Sequence, residues 1–303
     1  MMSALATLRR LTAHAENRRT DTGIPRVAMV QGKIAEHSLS MVYEPMINLI
    51  LRGGKSMTVG SQTLHYDPAT YFVMSVDLPA VGVVHADAEG RPYLAVSLTL
   101  SAQVIGRLLE DVPAELHAHR STATSGQSFS VATVTSELMD AWVRLLGLME
   151  RPLEIPALAP VYEREILYRV LQGPHGHMLR DIATPESLLG RIRLAIQWMR
   201  AHYAMPLRIG MLAERAAMSE SAFHRHFKAV TALSPLQFQK QLRLLQARHL
   251  LATQGLSVTT AAMEVGYEST TQFAREYARS FGLPPSQDVA RIVAGFRATT
   301  SSQ

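Results

Sequence analysis

The chain of 303 residues contains no cysteine. That excludes disulfides, thiolate nucleophiles, iron–sulfur clusters and Cys-type zinc sites, and it fits a reducing compartment. Also missing is any apolar run of the roughly 18 residues a helix needs to cross a bilayer. Arg9, Arg10, Arg18 and Arg19 surround Leu5, Leu8 and Leu11, without the long apolar core and cleavage site of a secretory signal. A cytoplasmic protein with no membrane partner is expected. There is no Gly-x-Ser-x-Gly elbow and no phosphate-cradling Gly-rich loop. No enzyme, catalytic residue or cofactor is therefore expected. Charged residues are only 18% of the chain and hydrophobic ones 47%, so a sizeable core can form.

At roughly 150 residues per domain, the length points to about two domains, and the charge divides the same way. Residues 191–303 hold 14 Lys and Arg against 6 Asp and Glu, most of the cations being arginine. The first 190 residues hold 16 against 19. Such asymmetry describes a polyanion-binding module joined to a nearly neutral partner.

From residue 24 to about 100, short apolar or alternating runs recur at 41–43, 46–51, 56–59, 70–74 and 93–98. Gly53-Gly54, Gly60-Ser61, Asp67-Pro68 and Gly90-Arg91-Pro92 separate them. This spacing predicts strands in a sandwich or small barrel, which can enclose one small ligand. The period then changes. Helices are predicted over 104–109, over a run from Val131 through Val134, Leu138, Trp142 and Leu145 to Met149, and over 163–171. A polar stretch at 121–130 reads as a loop. Pro185 marks a boundary between residues 1–185 and 186–303.

The last third repeats itself at an offset of 50. Ser219, Phe223, Arg225, Phe227, Ala232 and Pro235 match Ser269, Phe273, Arg275, Tyr277, Gly282 and Pro285. Each copy reads as a helix-turn-helix: a short helix with alanines (Ala213 and Ala217 in the first copy) for close crossing, a tight turn, a Ser cap, and a second helix burying two aromatics four apart. Ser221, His224 and Arg225 then face outward in the first copy, and Thr271, Gln272 and Arg275 in the second. Arginine can fork onto guanine and glutamine onto adenine, while Ser219, Lys228 and Ser269 suit phosphates. A helix over 235–252, carrying Leu236, Leu242, Leu245 and Leu250, would hold the copies apart.

The run Leu212-Ala213-x3-Ala217-Met218-Ser219-x3-Phe223-x-Arg225-x-Phe227-Lys228, then Ser234-Pro235, is followed by Val265-Gly266-Tyr267-x-Ser269-x3-Phe273-x-Arg275-x-Tyr277 and Phe281-Gly282-x-Pro284-Pro285-Ser286. Together they resemble the DNA-binding domain of the AraC/XylS family. Upstream, Tyr43-Glu44-Pro45, Leu51-Arg52-Gly53-Gly54-Lys55, Ser75-Val76-Asp77-Leu78-Pro79 and Arg91-Pro92-Tyr93 resemble the AraC-type N-terminal domain of cupin-like fold. The resemblance implies a two-domain α+β regulator. An N-terminal cupin-like β-barrel with flanking helices senses a small-molecule effector and often forms a homodimer. An all-α double helix-turn-helix contacts double-stranded promoter DNA and RNA polymerase. It also implies base contacts from Ser221, His224, Arg225, Thr271, Gln272 and Arg275. The chain departs from the family pattern at Ala232, at Asp288 and Val289, and at Ala69, where a turn glycine is expected.

Within the strand runs, Tyr43, Met46, Tyr71 and Tyr93 are candidates to line a pocket, with core packing the alternative for each. The histidines do not compose a metal site: His37, His65 and His85 are separated, and the pairs His117-x-His119 and His175-x-His177 read as loop or solvated residues. Asp87 and Glu89 read as a turn. Two rival readings stay open at this point, an N-terminal domain that only dimerises and a cupin metalloenzyme fused to a DNA-binding module.

Overall fold

The computed structural model describes residues 2–32, 38–68, 70–113 and 128–300. His37, Ala69, His117 and His119 lie outside them. The chain divides into two compact units, residues 1–194 with 225–232, and residues 195–224 with 233–303.

The first unit holds ten strands in two antiparallel sheets. In chain order they are β1 (Thr20–Asp21), β2 (Val27–Gly32), β3 (Ser38–Tyr43), β4 (Met46–Arg52), β5 (Gly54–Val59), β6 (Gln62–Tyr66), β7 (Thr70–Met74), β8 (Leu78–His85), β9 (Tyr93–Thr99) and β10 (Phe129–Thr133). One sheet runs β1-β2-β9-β4-β7-β10 and the other β3-β8-β5-β6. They face each other as a cupin-like jelly roll that does not close into one continuous barrel. Tyr66 of the smaller sheet stacks on Phe72 of the larger, with ring centroids 5.2 Å apart.

The period-2 alternation sorts each strand of the larger sheet between two environments. Met29, Ile47, Leu49, Tyr71, Val73, Leu94, Val96 and Leu98 face outward into a core shared with helices. Those helices are α1 (Met2–Leu11), α2 (Ala102–Asp111), α3 (Ser136–Gly147), α4 (Ile155–Gln172) and α5 (Gly176–Ala183). Leu8 and Leu11 of α1, Trp142 and Leu145 of α3, and Ile166 and Val170 of α4 fill it. Because apolar area drives this burial, the helical layer is part of the sheet's stability rather than an appendage.

Three expectations change. Val131 belongs to a strand, paired with Phe72, and the following helix starts only at Ser136, where the Thr135 side chain caps it by accepting from the Leu138 N–H at 3.2 Å. Of the stretch expected as a loop at 121–130, residues 121–127 lie outside the described residues, whereas Ser128 and Phe129 are buried and Phe129 and Ser130 open β10. The helix expected over 163–171 starts eight residues earlier, with Pro156 in its first turn, where a missing N–H costs nothing, and with Pro160 inside it.

The remaining helices are α6 (Leu188–Ala201), α7 (Ile209–Arg215), α8 (Glu220–Thr231), α9 (Pro235–Gln254), α10 (Val258–Glu264), α11 (Thr270–Phe281) and α12 (Pro285–Thr300). A capping box starts α9: the Gln237 N–H donates to Ser234 Oγ at 3.2 Å, and the Ser234 N–H donates back to Gln237 Oε1 at 2.9 Å. Gly255, at φ +64°, ends the helix in the left-handed conformation. Leu242, Leu244, Ala247 and Leu251 lie on its buried face, whereas Leu236 is 53% exposed. No helix among the described residues is long and apolar enough to cross a membrane.

Candidate nucleic-acid interface and sheet interior

Each helix-turn-helix is built by the same local chemistry. In the first, Leu212, Ala213 and Ala216 on α7 and Phe223 and Phe227 on α8 are all buried. Ser219 precedes α8, and its Oγ accepts from the Ala222 N–H at 3.3 Å. In the second, Ala261, Ala262, Val265, Tyr267, Phe273 and Tyr277 form one core with Leu244, Ala247 and Leu251 of α9. Ser269 caps α11, accepting from the Gln272 N–H at 3.3 Å. A capping serine uses an oxygen lone pair for the helix and keeps its proton free to donate.

The outward face is as the repeat implies. Ser219 is exposed at the start of α8, and Ser221, His224, Arg225 and Lys228 are exposed along it, off the face that buries Phe223 and Phe227. Thr271, Gln272 and Arg275 are exposed on α11, again opposite the buried aromatics. Arg225 Nη2 lies 3.3 Å from His226 Nε2.

The turns differ between copies. Gly266 has φ +86° and Gly282 φ +78°; the matching first-copy residues are Ala217 at φ +51° and Ala232 at φ +58°. Ala217 therefore forms an exposed left-handed turn and does not line a helix crossing as expected. Gly266 is required for a second reason, since a Cβ there would lie 2.2 Å from the Ala204 carbonyl oxygen. Arg243 of α9 ties the same region together, donating to the carbonyls of Tyr203, Ala204, Met205 and Gly266 at 2.8–3.1 Å.

Two groups escaped the sequence reading. Glu276 Oε1 accepts from Lys240 Nζ at 2.8 Å and from Gln272 Nε2 at 3.2 Å, while its Oε2 accepts from the Tyr267 hydroxyl at 2.8 Å. Burial alone would raise the Glu276 pKa, but these donors together hold its carboxyl below the usual range. Only the i,i+4 spacing from Gln272 could have flagged it. Asp288, which the pattern left unexplained, is fully buried. It accepts from Arg248 Nε and Nη2 at 2.7 and 3.1 Å, from the Tyr277 hydroxyl at 3.0 Å and from Arg291 at 2.7 Å, and so anchors α12.

In the first unit, the four pocket candidates do not share a face. Tyr43 and Tyr93 are buried between the sheets, and Met46 has the same parity as Asn48 and Ile50 on β4. Tyr71 lies on the other side, under the helices, where its ring meets His175 edge-on at 5.0 Å. His175 itself is 1% exposed and precedes α5, so it is not a solvated loop residue; burial, followed by the neighbouring His177, pulls its pKa down to about 4. His65 and His85, distant in sequence, both reach Ser56 Oγ, at 2.8 and 2.9 Å. No group of three or more potential metal ligands occurs among the described residues. Asp87 accepts from Arg91 at 2.7 Å in an exposed turn.

Residues 23–178 match the AraC-type transcriptional regulator N-terminus, and residues 212–291 match a helix-turn-helix domain. The chain belongs to the AraC-type transcriptional regulators. Among curated members of this family it is 29% identical to the HTH-type transcriptional activator RhaS of Escherichia coli O1:K1 over 174 residues, covering 56% of this chain and 61% of that protein. To RhaS of Escherichia fergusonii it is 32% identical over 131 residues, or 43% of this chain and 46% of the other. The chain thus spans about three-fifths or less of the length of these curated relatives. The AraC-type fold recurs in ToxT from Vibrio cholerae. The fatty-acid-bound form from strain SCE256 gives a TM-score of 0.54 at 6% identity, over 87% of this chain and 93% of that one. Another ToxT structure gives 0.55 at 8% identity, over 87% and 97%.

Proposed function

We propose that this AraC-type chain is a sequence-specific DNA-binding regulator of transcription that responds to a small molecule held by its N-terminal domain. Residues 186–303 act as the reading domain and residues 1–185 as the sensing one. Ser221, His224 and Arg225 read one major groove; Thr271, Gln272 and Arg275 read the next, about one helical turn or 34 Å along. Ser219, Lys228 and Ser269 contact phosphates and set register. The protein works in the cytoplasm, meets RNA polymerase at the promoter and pairs with a second copy through its N-terminal domain.

One observation carries the reading: two copies of one helix-turn-helix expose the same positions while burying the same aromatics. Merely solvated arginines would not require both copies to keep Arg225 and Arg275 at equivalent outward sites. The fatty-acid-bound ToxT structure is the precedent among similar folds for a small-molecule ligand. Genome-wide footprinting of the bound protein tests the proposal. Discrete sites should emerge, and Arg225→Ala or Arg275→Ala should each cost about 1–3 kcal/mol at one position of the motif. Equal losses on specific and random DNA would contradict the base-contact roles.

A further inference from the structure

On the smaller sheet β5 lies between β6 and β8. Its alternation sends Lys55, Met57 and Val59 inward and puts Ser56 and Thr58 on the outer face. The register sets Ser56 directly opposite His65 of β6 and, on the other flank, Gly54 opposite His85 of β8. Neighbouring strands are about 4.8 Å apart, so the two histidines stand on either side of β5, both exposed. Gly54 has no side chain to block the His85 ring, which reaches along the strand to Ser56.

Both rings arrive at one atom. His65 Nδ1 lies 2.8 Å from Ser56 Oγ, and His85 Nε2 lies 2.9 Å from it. The two nitrogens are therefore no further apart than these contacts laid end to end. A hydroxyl has one proton to give, so it donates to one ring and accepts an N–H from the other. Each nitrogen is aimed at the same point from its own flank of β5. Imidazole is the commonest metal ligand in proteins, and it suits zinc, copper and nickel, whereas magnesium and calcium take oxygen. The surroundings are short and neutral. Thr58 Oγ1 lies 2.8 Å from Thr63 Oγ1 on the next rung, and half-buried Val81 and Val83 flank them on β8. None of these outward positions is a Lys or Arg that would repel a cation.

We propose that His65 and His85 form a surface site for a divalent late transition-metal ion: zinc, copper or nickel. The ion takes His65 through Nδ1 and His85 through Nε2. The ring that now donates moves its proton to its other nitrogen, so that both present lone pairs. Metal–imidazole bonds are about 2.0–2.1 Å for zinc, so the rings close on the place that Ser56 Oγ now holds. The hydroxyl rotates to another staggered position. Water completes the coordination, which makes this an open site and not a closed structural one. The site belongs to the N-terminal unit's outer sheet face and uses no residue assigned to DNA reading, so neither reading depends on the other.

The test uses the full chain without an affinity tag. Histidines are modified with diethyl pyrocarbonate and followed one by one by mass spectrometry. Zinc or nickel ions should slow modification of both His65 and His85, by at least about tenfold at saturation, and magnesium should not. Calorimetric titration with zinc gives the number of sites. His65→Gln, His85→Gln and the double variant should each lack the same single site, because a pair of ligands is lost with its first member. Protection of only one histidine, of neither, or equally by magnesium overturns the proposal. So does a site count unchanged in either single variant, or one that falls by two in the double variant. Protection is read on the wild-type chain, so it decides the matter even where a variant does not fold.

Discussion

Gln272 Nε2 donates to Glu276 Oε1, one turn further along α11, at 3.2 Å. The carboxylate is in turn held by Lys240 and Tyr267, so the amide is oriented from outside its own helix. One N–H is engaged; the other, and the amide oxygen, stay free for adenine N7 and N6. Glu276→Ala should therefore relax adenine preference at the Gln272 position by about 1 kcal/mol, and Gln272→Ala by about 1–3 kcal/mol. Binding-site selection from random DNA measures both. A uniform loss of affinity in the Glu276 variant would mean the carboxylate only supports the fold.

The left-handed alanines make a second case. Ala232→Gly should raise stability by roughly 0.5–1 kcal/mol, because relief of the strained φ exceeds the added freedom of the unfolded chain. In the other copy, Gly266→Ala should be more damaging than Gly282→Ala. The first would press a Cβ onto the Ala204 carbonyl oxygen, while the second has open space around it. Denaturant melts of the four proteins rank these effects, and a destabilising Ala232→Gly would refute the account.

Arg248 and Asp288 form a forked pair, with side chains 12% and 0% exposed. Asp288→Ala should cost about 3–5 kcal/mol, since it leaves Arg248 largely buried with no counter-charge. Replacing both at once, as Arg248→Met with Asp288→Leu, should recover most of the loss. Urea unfolding of the single and double variants decides it; a double variant no better than the single would show that the pair is worth its full apparent energy.

His175 predicts a pH dependence. Its folded pKa of about 4 lies below its ordinary 6.5, so protonation favours the unfolded chain. The associated stability is complete above pH 6.5 and is lost as pH falls towards 4, by about 3 kcal/mol at the limit. His175→Phe, which keeps an aromatic edge against Tyr71, should lose that much less over the same window. Tm recorded for both proteins from pH 7 to 4 provides the difference, and parallel curves would remove His175 from the argument.

Lys228 should behave as a phosphate contact. Its replacement by Ala should weaken binding evenly across DNA sequences and reduce the slope of log K against log salt by about one unit. Filter binding at several salt concentrations reads the slope. An unchanged slope with altered base preference would move Lys228 to the reading set.

The double helix-turn-helix was legible in the chain because every part of it is local. Caps, turns and i,i+4 aromatics act within a dozen residues, and two copies let each check the other. The exposed arginine stripe followed from the same period. Only half of the strands were legible, since β1, β2, β6, β8 and β10 were not found. Val131 looked helical because its spacing to Val134 and Leu138 suits a helix, and only pairing with Phe72 placed it in a sheet.

The sequence alone determined the class of protein, its basic reading module and which side chains of α8 and α11 point outward, because those depend on periodicity and on charge. Only the tertiary structure decided which way the strands face. Alternation defines two sides without saying which is inside, so Tyr71 went under the helices while Lys55 and Tyr66 went between the sheets. The joining of Glu276 to Lys240, and of Asp288 to Arg248, likewise spans 36 and 40 residues. No local rule reaches that far; packing brings such groups together because a buried charge must find its partner.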